Sequence, residues 1–238
     1  MGCMLGGAVG DALGFVIGKD DLKTIHKKYG PYGLRTVLKS AKNGNKSIIS
    51  DDTQLSLFTA DGMLWADHDG LEPTEGLYRS YMRWYYTQTE RIIRPEQEKW
   101  MNRQDHEVDL EYDMMGEQAL FARRSPGKTC LTALASGKKL SRDETLNHSS
   151  GNSTVMRAAP IGLFYEGDPE MAFFVGSQAA SLTHGNPKAF LSTATISAII
   201  ASLAVGKDIS TALGGALHIL QRDPEGARLL KIAAACHR

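Results

Sequence analysis

The feature that most constrains this chain is the spacing of its apolar residues. They follow a helical period wherever a period exists, and nowhere alternate in the two-residue rhythm of a half-buried strand. Leu55, Phe58, Gly62 and Trp65 fall on one helix face, with Leu57, Ala60 and Leu64 beside them. Leu77 to Tyr86 reads as a packed, aromatic-rich helix, Asp113 to Arg124 as another, and Lys188 to Val205 as a long apolar one with Pro187 at its first turn. Two stretches break the pattern. Lys19 to Ile49 is expected to be a loop-rich connection with turns at Tyr29 to Gly33 and Asn43 to Asn45, and Glu90 to Glu111 is charged enough to be a solvated or flexible surface. No internal repeat or low-complexity linker divides the 238 residues. The expectation is one all-α domain, residues 1–238, with enough apolar content for a sizeable core.

Composition excludes some functions. Lys plus Arg and Asp plus Glu number 27 each, so no overall basic field exists to attract nucleic acid or an anionic membrane. Cys3, Cys130 and Cys236 are odd in number and lack a CxxC or Cys/His spacing, which argues against zinc or a disulfide framework and for a reducing cytoplasm. The opening run Met1 to Ile17 lacks a basic leader and carries Asp11, against its being a signal peptide or a membrane anchor. Within it, Gly2, Gly6, Gly10, Gly14 and Gly18 recur at every fourth residue. An interior glycine costs a helix about 1 kcal/mol relative to alanine, so the stripe predicts a close packing or ligand contact. Asp11 is then either a buried acid with a hydrogen-bonding partner or a support for other functional groups.

Ser50-Asp51-Asp52-Thr53-Gln54 stands just before the first apolar helix. Ser50 can cap it, and Asp51 and Asp52 suit the positive end of its dipole. The same hydroxyl and carboxylate oxygens, bunched on one turn, are what a hard cation such as Mg²⁺ or Mn²⁺ prefers, although they supply only part of a coordination shell. Three more loop-to-helix junctions follow. Ser125-Pro126-Gly127-Lys128-Thr129 contains a Gly-Lys-Thr, but Ala122 replaces the first glycine of a phosphate loop, leaving a helix start whose N–H groups can meet an anion. Ser149-Ser150-Gly151-Asn152-Ser153 is small and hydroxyl-rich before Thr154 to Phe164, a composition that suits a sugar or phosphate as well as an ordinary loop. In Thr183-His184-Gly185-Asn186-Pro187, His184 can cap, pack or bind.

Taken in order, Gly10-Asp11-Ala12-Leu13-Gly14, Ser50-Asp51-Asp52-Thr53, Ser125-Pro126-Gly127, Gly151-Asn152-Ser153 through Met156-Arg157 and Pro160, and Thr183 to Pro187 resemble the ADP-ribosylglycohydrolase family across roughly residues 1–205. The resemblance implies a compact, orthogonal multi-helix bundle with a two-metal centre, Mg²⁺ or Mn²⁺, in a cleft that holds ADP-ribose. It implies hydrolysis of the bond from ribose C1″ to an arginine, serine or other acceptor, with ADP-ribose or an ADP-ribosylated protein as partner. It makes Ser50, Asp51 and Asp52 the metal ligands and Asp51 or Asp52 the group that orients water. Ser149, Gly151, Asn152, Ser153, His184 and Gly185 would line the ADP-ribose pocket, and Asp11 would support the metal site or the helix packing. Two departures are present. No Asp-x-Asp-Thr run follows near the C-terminus, where the tail offers Asp208 and Asp223, and Gly18 stands near where many members carry a glutamate. With these departures the expectation is a C-terminally shortened form that holds one ion rather than two, or none. It leaves open a catalytically impaired ADP-ribose or nucleotide binder, or an incomplete fold needing a partner.

Overall fold

The computed structural model describes residues 1–39, 44–89 and 93–236, with side chains as far as Lys231. Asn43 and residues 90–92, included in the turn and surface expectations above, lie outside the described residues, as does the Cys236 side chain. Cys3 and Cys130 are free thiols, the first exposed and the second buried.

The described residues contain helices and no strand. In chain order they are α1 (Gly2–Ile17), α2 (Leu22–Tyr29), α3 (Asp51–Asp69), α4 (Pro73–Thr89), α5 (Glu98–Met101), α6 (Asp105–Asp109), α7 (Lys128–Ala135), α8 (Ala158–Phe164), α9 (Pro169–Ser181), α10 (Pro187–Ala204), α11 (Ile209–Arg222) and α12 (Pro224–Cys236). Short 3₁₀ turns lie at Pro95–Gln97, Gln118–Phe121 and Asn152–Arg157. One apolar cluster joins α3 and α4 to α7, α8 and α9 through Leu55, Phe58, Leu77, Trp84, Leu134 and Ile161. A second, built on Phe173, Phe190, Leu191 and Ala216, joins α9, α10 and α11. Helix α10 is long and apolar enough to cross a membrane by length and composition, but half of it is buried against α8, α9 and α11.

The close backbone approaches are not on α1. A Cβ on Gly2, Gly6, Gly10 or Gly14 would meet nothing within 4 Å, and Ala12 is the one buried residue of that helix. The close packing that the glycine stripe allowed is absent among the described residues, because α1 lies on the surface. The crossings that require glycine are elsewhere. A Cβ on Gly62 of α3 would sit 2.8 Å from Leu77 Cα on α4, and one on Gly76 would run into the Gly62 carbonyl and Ala66.

Three other expectations change. The 19–49 stretch contains α2, started by Asp21, whose carboxylate accepts from Thr24 N at 2.8 Å. Asp113 to Arg124 is not a continuous helix: only Gln118–Phe121 turns, as a 3₁₀ segment. Its carbonyls are claimed by other partners, since Gln54 Nε2 donates to Leu120 O and Ala122 O and Gln88 Nε2 also donates to Leu120 O. The charged stretch ending at Glu111 is not all solvated, because α6 buries His106 and Glu107 completely. There Glu107 accepts from Arg83 Nη2 at 2.8 Å and from Gln104 N and Met114 N, while Asp61 accepts from Ser80, Arg83 and Tyr112 and bonds His106 Nε2 at 3.0 Å. Removing one member of such a buried ion pair costs about 3–5 kcal/mol, so this network clamps α6 to α3 and α4.

Candidate active site at converging helix starts

The site begins with Asp11. Its carboxylate accepts from Ser50 N at 2.8 Å, Ser50 Oγ at 2.6 Å, Thr53 N at 3.2 Å and Thr53 Oγ1 at 2.5 Å, so α1 holds the start of α3. Asp11 is half-buried with its oxygens occupied by protein donors, which satisfies the acid and fixes the helix start that any support role would act through. Ser50 caps α3 by accepting from Asp52 N at 3.1 Å. Asp51 is 6 % exposed; its N–H donates to Arg124 O and its Oδ2 accepts from Gly127 N at 3.0 Å. That bond ties the start of α3 to the start of α7.

The remaining junctions join on from there. A Cβ on Gly127 would lie 3.3 Å from Ser153 Oγ, and Thr129 Oγ1 is 3.2 Å from Ser149 Oγ. Ser153 Oγ lies 3.2 Å from His184 Nε2, and a Cβ on Gly151 would meet that same nitrogen at 3.4 Å. Gly185 is wedged against Asn147 O and Thr145, where no side chain fits. Asn186 caps α10 through Lys188 N and donates from Nδ2 to His148 O at 3.4 Å. Ser56 Oγ donates to Met156 O at 2.6 Å, so the 152–157 turn is also anchored on α3. Five segments distant in sequence thus form one connected cluster around the starts of α3, α7, the 152–157 turn and α10. Asn152 is exposed, and its side chain makes no hydrogen bond among the described residues.

Electrostatics separate the acids from the histidine. Burial pushes the Asp51 carboxyl up to about 6, and the negative Asp52 and Asp11 add to the rise against the opposing Gly127 N–H. Asp52 is raised as well, by partial withdrawal from water and then by Asp11. His184 is fully buried and pulled down to about 4, first by burial and then by the Arg157 guanidinium. An acidic group whose charge is opposed by its neighbours is what a divalent cation would relieve.

Sequence reasoning placed Gln54 and Arg157 in its motifs without a role, and gave Arg124 and Cys130 no part in this cluster. Their importance comes from partners sixty or more residues away, or from a buried contact with no local signal. The tail acids, by contrast, lie outside it. Asp208 caps α11 through Thr211, and Asp223 pairs with Arg142 at 2.8 Å and caps α12. Near Gly18, Asp20 pairs with Lys28 and Asp21 caps α2.

With that geometry in place, comparison with protein families matches the ADP-ribosylglycohydrolase model over residues 1–237. The chain belongs to the ADP-ribosylglycohydrolase family. Its helical, strandless architecture among the described residues agrees with the all-α fold of that family. Curated proteins yield no significant match. Family membership carries ADP-ribosyl glycohydrolysis as the coarse function and ADP-ribosylated substrates as the partner class.

The donor set of this ADP-ribosylglycohydrolase fits part of a hard-cation shell. Asp51 keeps one carboxylate oxygen beyond its bond to Gly127, and both carboxylate oxygens of Asp52 are without a hydrogen bond among the described residues. Ser50 Oγ is committed to Asp11 and Asp52 N, so it would coordinate only through a remaining lone pair. No group of three His, Cys, Asp or Glu side chains converges as a metal cage among the described residues.

Proposed function

We propose that this chain hydrolyses the glycosidic bond between ADP-ribose and a modified protein side chain, at the cluster where α3, α7, the 152–157 turn and α10 begin. The observation that carries this reading is the run of contacts from Asp11 through Ser50 and Asp51 to Gly127, Ser153 and His184, hydrogen-bonded except where Gly127 packs on Ser153, which gathers an acidic edge and a set of small residues into one place. Ser50, Asp51 and Asp52 would hold one Mg²⁺ or Mn²⁺, leaving the rest of its shell to water and ligand. Such an ion supplies positive charge that fixes ribose hydroxyls and lowers the pKa of a bound water.

The chain's own groups do the remaining work. Glycoside cleavage develops positive charge at the anomeric carbon, which the adjacent Asp51 and Asp52 carboxylates stabilise. Whichever of the two keeps a free oxygen orients the attacking water and takes its proton. Ser149, Gly151, Asn152 and Ser153 present hydroxyls and backbone N–H groups to the diphosphate and ribose, while Gly185 lets the 183–187 turn close against Asn147 and Thr145 behind them. His184, fully buried and held neutral, stands behind Ser153 rather than presenting a cation to the phosphates.

The test is release of ADP-ribose from arginine-linked and serine-linked substrates, in Mg²⁺ and in chelator, for the wild type and Asp51→Asn. Metal-dependent release that falls by at least about a hundredfold in the variant supports the proposal, the scale of losing one group used in the transition state. Binding of ADP-ribose without any release would favour a non-catalytic binder, and neither binding nor release would overturn the reading.

A further inference from the structure

Arg157 is fully buried, yet no carboxylate pairs with it among the described residues. Its Nη1 donates to Ala179 O at 2.9 Å, its Nη2 donates to Cys130 Sγ at 3.1 Å, its guanidinium lies over the Tyr81 ring, and its Nε is buried without a partner. Cys130, also fully buried, lies with Sγ 3.8 Å from Ser153 Oγ. Ser153 Oγ is 3.2 Å from His184 Nε2, His184 Nδ1 is 2.9 Å from Thr183 Oγ1, and Thr183 Oγ1 reaches Ala180 O at 3.4 Å.

The contacts at the two ends favour one direction. Arg157 can only donate, so the Cys130 sulfur accepts and its S–H points onward to Ser153 Oγ. At the other end the Thr183 hydroxyl has Ala180 O within reach at 3.4 Å, a carbonyl that also takes Thr183 N and His184 N, and a hydroxyl that donates there accepts from His184 Nδ1–H. His184 Nε2 is then bare, and the Ser153 hydroxyl donates to it. Every donor points the same way, from the guanidinium towards the end of α9.

We propose that Arg157 and Cys130 are positioning residues of the candidate pocket, heading a one-way hydrogen-bond chain through Ser153, His184 and Thr183 that holds His184 as its Nδ1–H tautomer and turns the Ser153 hydrogen inward. The inference rests on the functional reading above for its ligand. At this point of the wall the pocket offers lone pairs and no hydrogen. It therefore selects a ligand hydroxyl over a phosphate oxygen there, and leaves anionic groups to backbone N–H donors at the surrounding helix starts. The depressed basicity of His184 described above agrees with a ring that accepts at Nε2 without becoming charged.

The experiment is long-range ¹H–¹⁵N NMR of the ligand-free, histidine-labelled protein at neutral pH, with His184 assigned by His184→Gln. The expected pattern is a protonated Nδ1 and a bare Nε2. Cys130→Ala removes the donor to Ser153 and is expected to shift the His184 ring nitrogens and to weaken ADP-ribose binding about three- to tenfold. Cys130→Ser restores a hydroxyl donor and is expected to recover both. An Nε2–H tautomer in the wild type, or unchanged ring signals in Cys130→Ala, would overturn the proposal. The tautomer needs no variant to fold and no ligand to bind, so absence of ADP-ribose affinity would count against the proposed function while the NMR pattern still decides the chain.

Discussion

Asp51 and His184 lie in one cluster and titrate in opposite senses. For Asp51 the folded value of about 6 is above the ordinary 3.8. Its contribution to stability is thus fully present below the lower value and is lost as pH rises through the upper one. For His184 the folded value of about 4 is below the ordinary 6.5, so its contribution is present above 6.5 and is lost as pH falls through 4. In chelator the two oppose each other across the mildly acidic range. His184→Gln removes the second contribution, and its melting temperature is expected to rise on going from neutral pH to about pH 5. Asp51→Asn removes the first, and its melting temperature is expected to fall more steeply over that interval than the wild type's. Thermal scans of the three proteins check this, and parallel pH profiles would count against it. Asp11 is legible from sequence as an acid in an otherwise apolar helix, but two roles fitted it equally. Its four donors from Ser50 and Thr53, thirty-nine or more residues away, come from the tertiary structure alone.

Elements show how spacing and packing part company. The α1 glycines were conspicuous because they repeat, yet they face open space. Gly62 and Gly76 do not repeat and hold the tightest crossing of α3 and α4. Gly6→Ala is therefore expected to stabilise the protein by up to about 1 kcal/mol, the helix propensity difference with no steric penalty. Gly76→Ala is expected to cost about 1–3 kcal/mol or more, because its methyl group would enter the Gly62 carbonyl and Ala66. Denaturant titration measures both, and the reverse order would refute the crossing. The clamp on α6 carries the same lesson. A run of charges reads as solvated when its partners are unseen, and Arg83 and Asp61 lie on helices identified by their apolar residues.

At the scale of the molecule, the starts of α3, α7, the 152–157 turn and α10 are brought together by helix packing, with α3 on α4 and α8, and α10 on α8, α9 and the 152–157 turn. The first N–H groups of α3 are taken by Arg124 O, Ser50 and Asp11 and those of α10 by Asn186, so the starts of α7 and of the 152–157 turn are the ones that suit a ligand carrying phosphates. In Mg²⁺, ADP-ribose at a hundred times its Kd is expected to stabilise the folded protein by about 2.7 kcal/mol. That gain should vanish in chelator and in Asp51→Asn, as read by thermal shift. An equal shift in all three would remove the acidic edge from the binding site.

The sequence by itself determined the helical class, the capped start of α3, the start of α10 at Pro187 and the order of the junction motifs, because periodicity, capping and turn chemistry act over a few residues. Tertiary structure alone decided that α1 lies on the surface, that the 113–124 stretch is no helix, that α6 is buried, and that Cys130 and Arg157 back the Ser153–His184 pair. Each of those depends on a partner far along the chain, and burial and hydrogen bonding between distant residues leave no local pattern to read.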